Sequence, residues 1–336
     1  MQKPFQTLTY LELGFEDETT TVDPSSILGG SAPSLQSLTL YNAPLGLVPK
    51  LGLFVINVVH LQILNTHFGH IISPDTMATF LSALTRLETL IIVSEFPARK
   101  LWKCQRPPPP ARILLPILTE FQFKGVGEYL DDLVAWIHAP LLNKLEITFF
   151  HQLIFKTPRL AQFISRIPKF KANYEAHVIF SSWDVTVTQQ AFGGRLGLKV
   201  LCKQLDWQLS SLAQACSSSL PQTFVHTIEH LYIREISTAP SPNIESSQWL
   251  ELLCRLTAVK DLYLSQEFVL RILPAREELF GEGVTEVLPD MQALFLDEPL
   301  SSGLIGEITA RFVAARRSAG HLIAVSRWKN HEVYDD

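Results

Sequence analysis

Three closely spaced histidines and one glycine pair are the first candidates for chemistry in this sequence. His60, His67 and His70 form part of a possible metal-ligand set, but a metal site needs three or four converging ligands, and no cysteine or acidic residue nearby completes the set. Gly193-Gly194-x-x-Gly197 is similar to a fragment of a phosphate-binding loop, yet the flanking strand-turn-helix unit is missing. We therefore predict surface histidines and a loop between repeats, with no metal and no cofactor.

The sequence also lacks the motifs of common catalytic sites. It contains no phosphate-binding lysine loop, no zinc helix with paired histidines and no strained serine turn of the hydrolase type. The acidic pairs Asp131-Asp132 and Glu277-Glu278 fit helix starts or solvent faces, where carboxylates interact favourably with the helix dipole. A site near Trp183, Asp184 and Asp206 would have no suitable spacing of nucleophile and base, so we expect that the protein is not an enzyme.

The strongest pattern is a phrase of the form Leu-x-x-Leu-x-Leu, which returns nine times with apolar substitutions. Its middle residues are spaced by 24 to 32 residues, apart from one gap of 86 residues between Leu145 and Leu231. A period of this length is the signature of a leucine-rich-repeat solenoid, with one strand and one return segment per unit. The phrases are Leu8-Leu11-Leu13, Leu35-Leu38-Leu40, a degenerate copy at Leu61-Leu64, Leu87-Leu90-Ile92, Leu118-Phe121-Phe123, Leu142-Leu145-Ile147, Ile228-Leu231-Ile233, Val259-Leu262-Leu264 and Met291-Leu294-Leu296.

The segments between the phrases predict helices. Amphipathic stretches begin after Ser73-Pro74, Thr157-Pro158 and Ser246-Ser247, and a last one runs from about Gly303 to Gly320. Prolines that precede phrases predict turns toward the sheet, at Pro33, Pro116, Pro140 and Pro289. Strands that alternate with helices predict an α/β fold: an irregular leucine-rich-repeat solenoid with a parallel concave sheet and helices on the convex side.

We assign residues 1–328 to a single solenoid and residues 329–336 to a polar C-terminal tail. The zone from about residue 166 to 225 is irregular, because the period fails there. Residues 177–180 and 185–188 predict two strands of an inserted hairpin, residues 196–201 predict a third strand, and residues 321–328 predict a final strand.

The composition excludes several classes of protein. Charged residues make up 18% and hydrophobic residues 47% of the chain, which is typical of a packed protein and not of a disordered one. A net charge of -5 gives no basic field for nucleic acid. The four cysteines are far apart, the N-terminus has no apolar signal segment, and the apolar run of residues 51–64 is too short to span a bilayer. We expect an intracellular protein, cytoplasmic or nuclear, without nucleic-acid or membrane partners.

One set of residues is a candidate binding surface. In each strand, the residue between the second and third apolar positions points to the concave face, and equivalent residues stack from repeat to repeat. These positions are Glu12, Thr39, Asn65, Ile91, Gln122, Glu146, Tyr232, Tyr263 and Phe295. The last three are aromatic, and they predict a stripe with a ring spacing of about 5 Å along the sheet.

Two interpretations of the aromatic stripe have equal weight. Exposed aromatic side chains on a rigid sheet are typical anchors of a protein interface. Alternatively, the final strand or a C-terminal loop covers the stripe and makes it part of the core. The predicted partner-binding residues are Tyr232, Tyr263, Phe295, Arg234, Glu146 and Gln122.

Short phrases spread over nearly the whole chain carry a family resemblance. They include Leu28-Gly-Gly-Ser-Ala-Pro-Ser-Leu-Gln-Ser-Leu, Leu81-Ser-Ala-Leu-Thr-Arg-Leu-Glu, the Arg106-Pro-Pro-Pro-Pro block, Tyr129-Leu-Asp-Asp-Leu-Val, Ala139-Pro-Leu-Leu-Asn and Ser247-Gln-Trp-Leu-Glu-Leu. In these phrases the chain resembles the fungal F-box/leucine-rich-repeat-like proteins. The resemblance implies substrate recognition, because such proteins bind a Skp-type adaptor of a cullin–RING ubiquitin ligase through an F-box and select a substrate with their repeats.

The chain departs from that family at the F-box. No helix of the Leu-Pro-x-Glu-Ile/Leu type precedes Leu8, and the nearest match, which begins at Leu273, is out of register. We therefore expect a Skp-type adaptor as a partner only if an F-box exists upstream. The predicted function is a non-enzymatic protein-recognition solenoid that binds an unidentified protein on its concave face. The alternative is a free-standing structural or scaffolding repeat protein unrelated to ubiquitin.

Overall fold

The computed structural model describes residues 5–15, 31–44, 47–52, 54–65, 72–94, 112–150, 155–171, 175–191, 193–202, 205–221, 225–235, 249, 252–277, 287–297 and 303–328. His67, His70, Glu278 and the predicted tail of residues 329–336 lie outside these ranges, as do the side chains of Asn65, Asp206 and Glu277. The chain forms two compact units. Unit 1 comprises residues 1–171 with 193–196, and unit 2 comprises residues 172–192 with 197–336. The prediction of one continuous solenoid over residues 1–328 stays a prediction.

Unit 1 contains strands separated by short helices, as the repeats predict. The strands are β1 (Tyr10–Gly14), β2 (Ser37–Tyr41), β3 (His60–Asn65), β4 (Thr89–Ser94), β5 (Ile113–Leu114), β6 (Glu120–Gly125), β7 (Ile137–His138) and β8 (Lys144–Phe150). Parallel strands follow the order β1-β2-β3-β4-β6-β8, and β5 pairs with β7 in a separate two-stranded sheet. The helices are α1 (Val48–Leu51), α2 (Pro74–Leu81), α3 (Gly127–Val134) and α4 (Pro158–Ser165), and a 3₁₀ turn follows at Pro168–Phe170.

Unit 2 contains an inserted hairpin and then regular parallel strands. The strands are β9 (Glu175–Phe180), β10 (Asp184–Ala191), β11 (Gly194–Leu201, in this unit from Gly197 onward), β12 (His230–Glu235), β13 (Asp261–Leu264), β14 (Ala293–Leu296) and β15 (Ala324–Arg327). Their order is β11-β10-β9-β12-β13-β14-β15, in which β9 and β10 are antiparallel and β12 to β15 are parallel. The helices are α5 (Leu205–Ser219), α6 (Gln266–Glu277) and α7 (Gly303–Ser318). The predicted hairpin, third strand and final strand are confirmed.

The predicted helix starts differ in how they are capped. The Oγ atom of Ser73 accepts a hydrogen bond from the backbone N–H of Thr76, 3.4 Å away, and Pro74 occupies the first turn of α2. Thr157 makes no side-chain cap bond at the start of α4. Of the predicted stretch after Ser246-Ser247, Trp249 and residues 252–256 lie within the described ranges, and Trp249 is buried.

The four prolines that precede phrases occupy the same position of a backbone turn. In each case the first apolar residue of the phrase donates its N–H to the carbonyl three residues earlier, and proline directly follows that carbonyl residue. Proline suits this position because its ring fixes the φ angle that the turn needs. The donor and acceptor pairs are Leu35 with Ala32, Leu118 with Leu115, Leu142 with Ala139, and Met291 with Leu288. The predicted turns toward the sheet are confirmed.

Strand pairing places the degenerate phrase at Val58-Leu61-Ile63, so the prediction of Leu64 as its middle residue is wrong. Leu61 pairs in register with Leu38 on one side and Leu90 on the other. Val58, Leu61 and Ile63 are fully buried, whereas Leu64 is half-buried. A shift of three residues exchanges the two faces of a strand, because side chains alternate with a period of two. The position assigned to Asn65 therefore belongs to Gln62.

Candidate functional site

The candidate site lies on the face of unit 2 that points away from the buried leucines, which we call the open face. On β9 and β12 to β14, residues alternate between buried and half-buried, as expected for strands with one face in the core. In the middle of the open face, parallel register places four ring-bearing residues side by side. They are His177, Tyr232, Tyr263 and Phe295, and we call them the aromatic row.

The rings of the aromatic row stack face to face. Centroid separations are 4.4 Å between His177 and Tyr232, 4.0 Å between Tyr232 and Tyr263, and 4.4 Å between Tyr263 and Phe295. The corresponding interplanar angles are 11°, 13° and 9°. Because each inner ring covers the faces of its neighbours, the row presents ring edges and polar ring atoms outward. Its spacing is slightly tighter than the separation of about 5 Å that neighbouring strands impose.

The two tyrosine hydroxyls are joined by a hydrogen bond. Burial raises the pKa of Tyr232, and this hydrogen bond raises it further because it stabilises the protonated hydroxyl. Burial also raises the pKa of Tyr263, although the hydrogen bond with Tyr232 opposes that shift. Both hydroxyls are therefore neutral at physiological pH, and the row offers polar but uncharged atoms.

Carboxylates line one side of the aromatic row. Glu175, His230 and Asp261 occupy successive positions on β9, β12 and β13, two residues before the row. The Nε2 atom of His177 lies 2.7 Å from Oε1 of Glu175, and Nδ1 of His230 lies 2.8 Å from Oδ2 of Asp261. Burial lowers the pKa of His177, and the nearby Glu175 carboxylate only partly opposes this shift. His177 is therefore largely neutral at pH 7, which leaves this side of the row acidic.

The residue that directly follows β15, Trp328, reaches the row. The indole ring of Trp328 lies 5.6 Å from the ring of Tyr232 at 59°, and 5.6 Å from the ring of Tyr263 at 72°. The backbone N–H of Trp328 donates to the carbonyl of Leu296 at 2.7 Å and extends the pairing of β15 with β14. Tyr232, Tyr263, Phe295 and Trp328 all remain half-buried.

Three of the six predicted site residues belong to the four-residue row, and the other three lie outside it. Arg234 is half-buried on the open face, two residues beyond Tyr232. Gln122 and Glu146 are neighbours in register on β6 and β8 of unit 1. His177 and Trp328 were not predicted. The sequence signal for His177 is the match of Ala176-His177-Val178 with Leu231-Tyr232-Ile233, in which a ring-bearing residue stands between two apolar residues.

In unit 1, the side of β6 and β8 that carries their half-buried residues is polar where Gln122 and Glu146 lie. Gln122 Nε2 donates to Glu120 Oε1 at 2.6 Å, and Lys144 Nζ lies 2.8 Å from the same oxygen and 3.6 Å from Glu146 Oε1. The Nε atom of Arg195 lies 3.8 Å from Glu146 Oε1. Burial acts to raise the pKa of Glu120, but hydrogen bonds from Lys144 and Gln122 outweigh it and lower the pKa. These residues neutralise one another and present no aromatic anchor.

Of the other candidates for chemistry, His60 and the glycines at positions 193, 194 and 197 lie within the described residues. His60 is exposed on β3, and Gly193 adopts a φ of 89° in the turn between β10 and β11. Among the described residues, no group of three histidine, cysteine, aspartate or glutamate side chains has the geometry to hold a metal ion. Within the same ranges, no helix combines the length and apolar character needed to cross a membrane.

Parallel strands in register, buried phrase leucines and intervening helices define a leucine-rich-repeat-like α/β protein. No family model and no curated protein matches the sequence. A solved structure that resembles the chain is the leucine-rich repeat-containing protein LegL7 from Legionella pneumophila, with 13% identity and a TM-score of 0.28 over 90% of this chain and 97% of that one. The resemblance to fungal F-box proteins stays a prediction.

Proposed function

We propose that the chain is a non-enzymatic protein-recognition repeat protein and that the aromatic row is its main binding surface. The observation that supports this proposal is the stack of half-exposed rings, Tyr232, Tyr263 and Phe295, on a strand framework whose alternate residues are fully packed. Tyrosine supplies a large, rigid contact area at a low cost in conformational entropy, and its hydroxyl confers specificity. A face of this kind binds through shape and hydrogen bonds and requires no chemical step.

The row has the composition of an interface centre. Energetic centres of protein interfaces are enriched in tyrosine, tryptophan and arginine, and Arg234 and Trp328 lie on the same face as the two tyrosines. The acidic side formed by Glu175 and Asp261 adds a charged rim. Rim charges contribute mainly to the choice of partner and to the rate of association.

Affinity capture from the native cells with the Tyr232→Ala/Tyr263→Ala double variant tests this proposal. Loss of an interface anchor typically costs at least about 2 kcal/mol, so the captured partner should bind about 30-fold more weakly or not at all. Trp183→Ala is the matched control, because Trp183 is an aromatic side chain of unit 2 that is 60% exposed in the hairpin turn.

Circular dichroism and thermal unfolding of both variants separate binding from packing. We expect near-wild-type unfolding of the double variant together with loss of the partner. Failure of the double variant to express in soluble form would support the alternative, in which the row is part of the core. Unchanged capture by a folded double variant would refute the proposed surface.

We further propose that the bound partner is a substrate of a ubiquitin ligase, with an intracellular location for the complex. This more specific function is supported by the resemblance of the sequence phrases to those of fungal F-box proteins and by cysteine spacing that gives no disulfide framework. Recovery of a Skp-type adaptor and a cullin in stoichiometric amounts would support it. Reproducible recovery of another protein without them would favour a free-standing scaffold.

A further inference from the structure

The stacking of the aromatic row determines which chemical groups it can accept. Aromatic rings have electron-rich faces and electron-poor edges. The faces of Tyr232 and Tyr263 are covered by their neighbours in the stack, with centroids 4.0 to 4.4 Å apart. Outward-pointing edges are poor sites for a cation, which prefers a ring face. They are good sites for another aromatic ring that approaches at a steep angle.

Trp328 provides an example of that approach within the chain itself. Its indole meets Tyr232 at 59° and Tyr263 at 72°, each with a centroid separation of 5.6 Å. Both separations lie in the range of favourable edge-to-face pairs. Two strands, β13 and β14, separate β15 from β12, so the indole reaches back over the open face to contact Tyr232.

The segment that carries Trp328 is held mainly by backbone pairing with β14 and not by side-chain burial. None of the residues from His321 to Trp328 is buried, and Leu322 is 77% exposed. On β14, by contrast, Leu294 and Leu296 are fully packed. Segments with few buried apolar contacts open at a lower free-energy cost than the core of a domain. Trp328 can therefore leave the row without unfolding the sheet beneath it.

We propose that the aromatic row is a docking site for an aromatic side chain of the partner, and that Trp328 occupies this site in the free protein. The inference rests on the proposed function and adds both the partner chemistry and a regulatory contact. The incoming ring replaces the indole and meets Tyr232 and Tyr263 at similar steep angles, tilted against the first and edge-to-face with the second. The apparent affinity for the partner is the affinity of the open row multiplied by the fraction of molecules in which Trp328 has left the row.

Selection of random peptides displayed on phage, performed against the immobilised full chain, tests the docking chemistry. The targets are the wild-type chain and the Trp328→Ala variant, with Trp183→Ala as the matched tryptophan control. We expect Trp328→Ala to enrich peptides with a shared tryptophan, tyrosine or phenylalanine. A synthetic copy of an enriched peptide should bind Trp328→Ala about tenfold more tightly than the wild type or Trp183→Ala, as expected if about one tenth of wild-type molecules have an open row.

Two further variants make the result decisive. Trp328→Leu keeps an apolar side chain for packing but forms no ring contact, so it should show the same gain in peptide affinity even if Trp328→Ala folds poorly. Adding Tyr263→Ala to either variant should abolish peptide binding. Peptides without an aromatic residue, equal affinity for wild type and Trp328→Leu, or binding that survives Tyr263→Ala would overturn the inference.

The proposed function and this inference fail in different ways. If cellular capture is insensitive to the Tyr232→Ala/Tyr263→Ala change, the recognition surface itself is wrong. If capture depends on those tyrosines but neither Trp328 variant alters peptide affinity, the surface stands and the occupancy by Trp328 is wrong.

Discussion

Asp131 connects two repeats of unit 1, and its replacement by alanine should destabilise the protein measurably. The residue lies on α3 and is 7% exposed, but its carboxylate points at the first turn of α4. Its Oδ1 atom accepts a hydrogen bond from the backbone N–H of Leu160 at 2.9 Å, and the carboxylate also accepts one from the N–H of Arg159. Since Thr157 makes no cap bond of its own, Asp131 acts as the cap of the neighbouring helix.

The size of the effect follows from these two bonds. Loss of a helix cap costs about 0.5–2 kcal/mol, and a buried N–H left without a partner costs about 1–3 kcal/mol. Burial raises the pKa of Asp131 because removing the charge from water is unfavourable, and this cost offsets part of the gain. We therefore expect Asp131→Ala to lower the free energy of unfolding by about 1–3 kcal/mol. Asp131→Asn retains one acceptor oxygen and removes the charge, so it should cost less.

Urea unfolding followed by circular dichroism measures these differences, and Asp132→Ala is the matched control. Asp132 forms an ion pair with Arg159 at 2.5 Å, but the Arg159 side chain is 40% exposed. Exposed pairs contribute about 0–1 kcal/mol. If Asp131→Ala unfolds at the same urea concentration as the wild type, or if Asp132→Ala costs as much, then Asp131 is not the cap of α4.

The pH dependence of Asp131 has a definite sign. Its pKa in the folded state lies above the ordinary value of 3.8, so the folded state binds more protons than the unfolded state in the window above pH 3.8. Ionisation therefore removes part of the contribution of Asp131 to stability as the pH rises through that window, while its hydrogen bonds to α4 remain. Asp131→Asn should lack this loss and should gain stability relative to the wild type as the pH increases.

Two further predictions concern ionisable groups of unit 2. Burial lowers the pKa of His177 below 6.5, so the wild type should lose stability as the pH falls below that value, and His177→Gln should lose less in urea unfolding at pH 7.5 and 5.5. If the difference in stability between these two proteins were the same at both pH values, the prediction would be contradicted. Exposed Cys254 should react with iodoacetamide in the native protein, whereas Cys216, whose pKa burial raises to about 12, should stay unlabelled until denaturation. Peptide mass spectrometry distinguishes the two sites, and early labelling of Cys216 would show that its surroundings open readily.

The strands were predictable because each phrase repeats both its spacing and its buried face. The degenerate copy shows where this approach fails. Leu61 and Leu64 both satisfy a three-residue spacing, and only pairing with Leu38 and Leu90 selects Leu61 as the central residue. Register is a property of neighbouring strands, so a single phrase with two equivalent leucines does not specify it.

The candidate site was predictable only in part, for a related reason. Tyr232, Tyr263 and Phe295 occupy the same position of consecutive phrases, so the period places them side by side. His177 joins them because the inserted hairpin brings β9 next to β12, a pairing that no repeat length encodes. The Trp328 side chain extends over two strands to contact Tyr232. This contact depends on the side-chain rotamer and not on the repeat spacing.

Unit 2 uses aromatic residues in two different geometries, and the contrast supports a binding role for the row. Phe180, Trp249 and Phe268 are fully buried and meet at 42° to 76° with centroids 5.0 to 5.7 Å apart. Truncation of such a core aromatic residue costs about 3–5 kcal/mol. The rings of Tyr232 and Tyr263 are instead parallel and half-exposed, so they bury less area within the molecule and leave more for a partner. Substitutions that weaken binding most should therefore be among those that change stability least.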